Sequence, residues 1–148
     1  MKCEIEWSQG FLFQTHVREH TVVQDAAKVS GGTDQGPTPK ELVLAAICGC
    51  TGMDVVGLLR KSKTVLNSLK ISAEADQSAG HPKVFSRVQL QFKASGPESA
   101  LAPLVDAVEK SQTIYCGVSA MIAKTCEISY EVTLNERIIA SGKANFAH

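Results

Sequence analysis

Residues 38–63, TPKELVLAAICGCTGMDVVGLLRKSK, decide the architecture of this 148-residue chain. Thr38 places a hydroxyl at a helix cap, and Pro39 occupies the first turn, where its missing N–H costs nothing. Glu41, three residues beyond the cap, can fold its carboxylate back onto the cap amide. Arg60, Lys61 and Lys63 suit the negative end of the helix dipole. From Leu42 to Leu59 the single charge is Asp54, so the helix is apolar around nearly its whole circumference and needs cover on all sides. A membrane span competes for any run this long. Asp54 and the glycines at 49, 52 and 57 weaken its hydrophobicity, and the flanks read as soluble strands, so no membrane is expected. A central helix wrapped by sheet is the expectation. One chain covers one face of it and a second copy the other, which predicts a homodimer with this helix near the twofold axis.

Outward from the helix, the pattern changes from a helical to a two-residue period. Cys3, Ile5 and Trp7 alternate with Lys2, Glu4 and Glu6, and Phe11, Phe13, Thr15 and Val17 repeat the alternation after a Ser8-Gln9-Gly10 turn. Residues 21–25 make a third strand. The Gly-rich stretch 30–37 reads as a mobile loop leading into the helix. Beyond the helix, Leu69, Ile71, Ala73 and Ala75 share one strand face, and Val84, Val88, Leu90 and Phe92 face inward from the next, joined by a turn at 78–82. Leu101, Leu104, Val105 and Val108 mark an amphipathic helix with Pro103 near its first turn. A short helix at 116–124 follows, then a strand carrying Ile128, Tyr130, Val132 and Leu134 and a brief return strand at 137–140. The class is α+β with antiparallel sheet, in one domain over 1–148.

Composition narrows the function. At 44% hydrophobic the chain can build one real core. Fifteen basic and fifteen acidic residues leave no net charge and no basic stripe, which excludes nucleic acid as an expected partner. The amino terminus alternates charged and apolar residues where a secretory signal would show an apolar core, so a cytoplasmic location is expected. Five cysteines without a zinc-type CxxC pair argue against a secreted disulfide framework and a structural metal site. Neither a cofactor nor a metal is expected.

Cys50 on the long helix and Cys116 at the start of the short one have the layout of a two-cysteine redox site. A thiolate that attacks a peroxide becomes a sulfenic acid, which must condense with a second thiol before further oxidation makes it inert. Converging in an apolar site, the pair would favour organic peroxides. Cys50 lies mid-helix, far from either end of the helix dipole, whereas helix-start amides favour a thiolate at Cys116, so local electrostatics nominates Cys116 as the nucleophile.

The runs Gly36-Pro37-Thr38-Pro39-Lys40-Glu41-Leu42, Gly49-Cys50-Thr51-Gly52-Met53-Asp54-Val55-Val56 and Tyr115-Cys116-Gly117-Val118-Ser119 resemble the OsmC/Ohr family of osmotically induced and organic-hydroperoxide-resistance proteins. The resemblance implies an intertwined homodimer, with antiparallel sheets wrapped around two long central helices and sites at the interface. It also implies a peroxidatic role for Cys50, a resolving role for Cys116, organic hydroperoxide as substrate and a dithiol reductant such as a lipoylated protein. The nucleophile it nominates is therefore Cys50. The family's activating groups are a carboxylate ten residues before the first cysteine and an arginine in the amino-terminal region. Here that position is Lys40, with Glu41 one step on, and Arg18 is the sole arginine before Arg60. Arg18, Lys40 and Glu41 are thus candidate activators, Glu41 also being the capping partner of Thr38. The alternative function is a non-catalytic dimeric module on the same fold that binds a hydrophobic ligand or senses redox state.

The remaining candidates read as structural. Cys48 points away from Cys50, and Cys3 and Cys126 are in phase with apolar strand faces, as buried bystanders would be. Asp54, one turn beyond Cys50, would oppose a thiolate and is expected to be hydrogen-bonded structurally. Ser119 is expected to bond backbone at the helix start, and His16 and His20 are surface residues.

Overall fold

The structure, a computed structural model, describes residues 1–147, which pack as two compact units, residues 1–43 and 44–147. The first unit is a three-stranded antiparallel sheet in the order β1-β2-β3, with β1 at Glu4–Gln9, β2 at Leu12–Val17 and β3 at His20–Gln24. Its faces are largely open: Ile5, Trp7 and Phe11 are exposed. Cys3 precedes β1 and is exposed too, a correction to its reading as a buried strand residue, because β1 is an edge strand with no buried position.

The segment from β3 to the long helix is tied down by Asp25, which corrects the expectation of a mobile loop. Buried Asp25 accepts bonds from the Ala26 N–H (2.7 Å), the Thr33 N–H (3.0 Å), the Thr33 hydroxyl (2.6 Å) and the Gln35 N–H (3.2 Å). The Thr33 hydroxyl, followed by the backbone amides, holds the Asp25 carboxyl below its ordinary pKa. Gly32 and Gly36 let the loop close, since a Cβ would stand 1.9 Å from the Ala26 carbonyl oxygen at the first and 2.5 Å from the Val23 oxygen at the second.

Helix α1 runs Pro39–Lys61. At its start the Thr38 N–H and hydroxyl both donate to the Glu41 carboxylate, at 2.7 and 2.8 Å, and the Leu42 N–H closes the first turn on the Thr38 carbonyl. At its end Lys63 turns left-handed (φ 54) and the Thr64 N–H returns to the Leu59 carbonyl. Ile47, Thr51, Val55 and Leu59 form its buried stripe, spaced at one turn. On the other side Met53 is 78% exposed, and Val43 and Val56 are exposed with it. The single chain therefore covers one face of α1 and leaves another bare.

The second unit builds a four-stranded sheet in the order β4-β5-β6-β7, from β4 (Ser68–Gln77), β5 (Phe85–Ser95), β6 (Glu127–Leu134) and β7 (Arg137–Lys143). β4 and β5 form the expected antiparallel hairpin, and β7 returns antiparallel to β6. Within this otherwise antiparallel sheet the β5–β6 pair is parallel, because α2 (Leu101–Lys110) and α3 (Gly117–Ala123) carry the chain back across the sheet. The inward alternation holds at Val88, Leu90, Phe92, Ile128, Val132 and Leu134, each no more than 1% exposed. Val84 is an exception, exposed and outside the strand. Leu104, Ala107 and Val108 of α2 join the α1 stripe and this sheet face in one core. At about 1.5–3 kcal/mol per fully buried large aliphatic side chain, that core is what seats α1 on the sheet.

Candidate active site

Between α2 and α3 the chain makes one π-type turn, Ser111–Tyr115, closed by the Cys116 N–H on the Ser111 carbonyl (3.0 Å). Such turns interrupt a helix and re-aim its side chains. Here the turn sends Ser111 and Gln112 into the core and delivers Cys116 as the cap of α3, opposite Cys50 on α1. The sulfurs of Cys50 and Cys116 and a carboxylate oxygen of Asp54 all lie within 4.8 Å of one another. Cys50 and Asp54 are half-buried, one turn apart on α1, and Cys116 is fully buried.

Cys116 carries the clearest electrostatic signature. Its thiol is raised to about 11, chiefly by burial and further by the neighbouring Cys50 thiol, with which it shares a hydrogen bond, while the Ser119 hydroxyl and N–H offset part of the rise. The helix-start argument for a Cys116 thiolate is thereby corrected: desolvation of a completely buried sulfur outweighs the amides of a seven-residue helix. Ser119 departs from expectation as well. Its N–H donates to the Cys116 sulfur at 3.4 Å, while its buried hydroxyl has no acceptor at hydrogen-bond distance among the described residues.

Asp54 is held by a relay of buried groups. The Gln112 Nε2–H donates to Thr51 Oγ1 (2.9 Å), Thr51 and Ser111 share a hydroxyl bond (2.7 Å), and the Ser111 hydroxyl donates to Asp54 Oδ2 (3.0 Å). With the Ser111 proton spent on the carboxylate, Thr51 must donate to Ser111. The three bonds then run head to tail and end on a charge, the arrangement that strengthens each. Thr51, Ser111 and Gln112 are all 0% exposed. Sequence reading missed their role; Thr51, directly after Cys50, was the one available signal, since Ser111 and Gln112 lie outside the Cys116 motif. A cleft of about 180 Å³ lined by Met53, Asp54, Gly57, Leu58, Lys61 and Tyr115 opens beside the carboxylate. On another face of α1 lies a wider apolar groove of about 650 Å³, which includes Cys48, Gly52, Met53, Val56, Leu69 and Ile71.

The three candidate activators belong to the other unit. Glu41 is engaged by Thr38, which lowers its pKa through the Thr38 N–H first and the hydroxyl second. Lys40 stands beside it in the first turn of α1. Arg18 occupies the β2–β3 turn with φ 56 and is exposed. Cys48 and Cys126 are set against the core, and burial raises both thiols. His16 bonds Thr21 (3.2 Å) at the surface of the first sheet, and His20 is exposed.

A long apolar helix packed on a mixed sheet, with one thiol on that helix meeting another at the cap of a short one, defines a dithiol protein of the α+β class. The OsmC-like protein family model matches residues 32–131, and the chain belongs to that family. Protein YhfA of Escherichia coli is 29% identical over 135 residues, spanning 89% of this chain and 98% of its own. A crystal structure of a hypothetical protein from Aquifex aeolicus superposes with a TM-score of 0.74 at 28% identity, over 91% of this chain and 97% of that one. An organic hydroperoxide resistance protein from Elizabethkingia anophelis shares the fold, with a TM-score of 0.70 at 16% identity over 91% and 97% of the two chains.

Proposed function

We propose that this protein is a thiol-dependent reductase of organic hydroperoxides in which Cys50 attacks and Cys116 resolves. The observation that carries the reading is the approach of the two sulfurs to within 4.8 Å, from elements far apart in the chain. Cys50 is the partly accessible sulfur and Cys116 the sealed, protonated one, so a peroxide meets Cys50 first. The Cys50 thiolate attacks the distal oxygen of ROOH and the O–O bond breaks. The alkoxide leaves and becomes ROH by taking up the proton that the Cys50 thiol released to solvent on ionising, and Cys50 becomes a sulfenic acid. Cys116 then attacks the Cys50 sulfur, its proton leaves with the hydroxyl as water, and the disulfide forms. A dithiol reductant, such as a lipoylated protein, restores both thiols and is itself oxidised to a disulfide. The hydroperoxide-resistance relative of the same fold supports this substrate class.

The same reading treats the chain as one OsmC-like domain acting as a cytoplasmic homodimer, with the bare face of α1 against its copy. Purified protein mixed with cumene hydroperoxide and a dithiol tests it. Turnover should vanish in Cys50→Ser, while Cys116→Ser should accumulate a sulfenic acid trappable by dimedone. A wild-type protein that consumes no peroxide and loses no two-hydrogen mass on oxidation would sink the proposal. The reverse mutant pattern would exchange the two roles.

A further inference from the structure

We infer that the reduced site is also a binding site for a thiophilic divalent cation of the Zn²⁺ type, held by Cys50 Sγ, Cys116 Sγ and the Asp54 carboxylate with a fourth position open to solvent. Two sulfurs and one carboxylate oxygen within 4.8 Å of one another supply the donor set that Zn²⁺ accepts at about 2.3 Å from sulfur and about 2.0–2.2 Å from oxygen. Tetrahedral donors at those bond lengths are roughly 3.5–3.8 Å apart, so closing on the ion takes about 1 Å of side-chain rotation.

Two features beyond proximity point to a cation. The first is the support of Asp54. Ser111, itself fed by Thr51 and Gln112, grips Oδ2 at 3.0 Å and so fixes the carboxylate that stands beside the two sulfurs. A ligating carboxylate oriented by buried donors is how metal sites are usually supported. The second is Ser119, whose buried hydroxyl finds no acceptor among the described residues yet lies beside the Cys116 sulfur, next to an N–H already aimed at that sulfur. Two donors converging on one sulfur suit a metal-bound thiolate, which accepts both. Access comes from the solvent side, where Cys50 and Asp54 are partly exposed and the small cleft opens. Binding replaces two S–H bonds by two metal–sulfur bonds and releases two protons, with no change of oxidation state. The site shares its sulfurs with the peroxidase reading but does not depend on it, since no peroxide takes part.

Co²⁺ titrated anaerobically into the reduced full-length protein is the spectroscopic probe. One equivalent per chain should produce thiolate-to-cobalt charge-transfer absorption and tetrahedral d–d bands, which one equivalent of Zn²⁺ bleaches. Cys50→Ser and Cys116→Ser should each remove about half of the charge-transfer intensity. Asp54→Asn should keep that band while weakening binding, and Ser111→Ala should weaken it by about 10–100-fold. Wild-type protein alkylated at its thiols, with its far-ultraviolet circular dichroism unchanged, should bind no cobalt there, which keeps the test independent of how the variants fold. A reduced wild-type protein with titratable thiols and no charge-transfer band overturns the site. So does a band that survives both cysteine substitutions.

Discussion

At the scale of single residues, Thr51 shows how a small side chain is committed by its surroundings. It interrupts the apolar stripe of Ile47, Val55 and Leu59, and its hydroxyl is at once acceptor for Gln112 and donor to Ser111. Thr51→Val keeps the shape but strands the Gln112 amide, whose Oε1 already lacks a partner among the described residues. The expected cost is about 1–3 kcal/mol, read from urea unfolding. A change within the roughly 0.5 kcal/mol typical of surface substitutions would show that the relay contributes nothing. Cys116 makes the complementary point. Its position before a helix advertises an acidic thiol, yet complete burial sets its protonation, and burial is not readable from the cap position alone. Asp54 was legible as the neighbour of Cys50 on one helical face because that relation is local. Its partner Ser111 was not, since nothing in the spacing of positions 54 and 111 shows that a π turn will bring them together.

At the scale of elements, local chemistry predicted most of what formed. The capping box of α1, the β4–β5 hairpin and the inward alternation of β5 and β6 follow from hydrogen-bonding groups and side-chain periods within a few residues. The connection from β3 to α1 was misjudged because its order comes from one side chain outside the glycine-rich stretch. Asp25 gathers bonds from Ala26, Thr33 and Gln35, and these lower its pKa below the ordinary value of 3.8. A carboxyl depressed on folding stabilises the native state above its unfolded pKa and loses that contribution as pH falls through its folded pKa. Asp25→Asn should therefore lower the melting temperature at pH 6, and the gap from wild type should close as pH drops below about 4. A gap constant from pH 6 to pH 3 would show that the charge is not what organises the loop.

At the scale of the whole molecule, α1 is the unresolved surface of the single chain. It is long and apolar enough, by length and composition alone, to cross a membrane, with a mean hydropathy of 2.1 over its best window. Its buried stripe nonetheless packs into a sheet core, and its exposed Met53, Val43 and Val56 ask for one further apolar partner. The proposed homodimer supplies it. Sedimentation should give twice the chain mass in detergent-free buffer, and Met53→Lys, which places a charge on the bare face, should shift the protein toward monomer. A wild-type monomer at micromolar concentration would refute the assembly.

The sequence by itself determined the elements, their inward faces and the two thiols to watch, because periodicity, caps and turns are short-range properties that residues carry with them. Tertiary structure alone decided that β6 lies parallel to β5 and that Cys116 is sealed. It also decided that Thr51, Ser111 and Gln112 anchor Asp54 beside two sulfurs. Those outcomes depend on desolvation and on contacts across large chain separations, which arise only when distant segments are packed together.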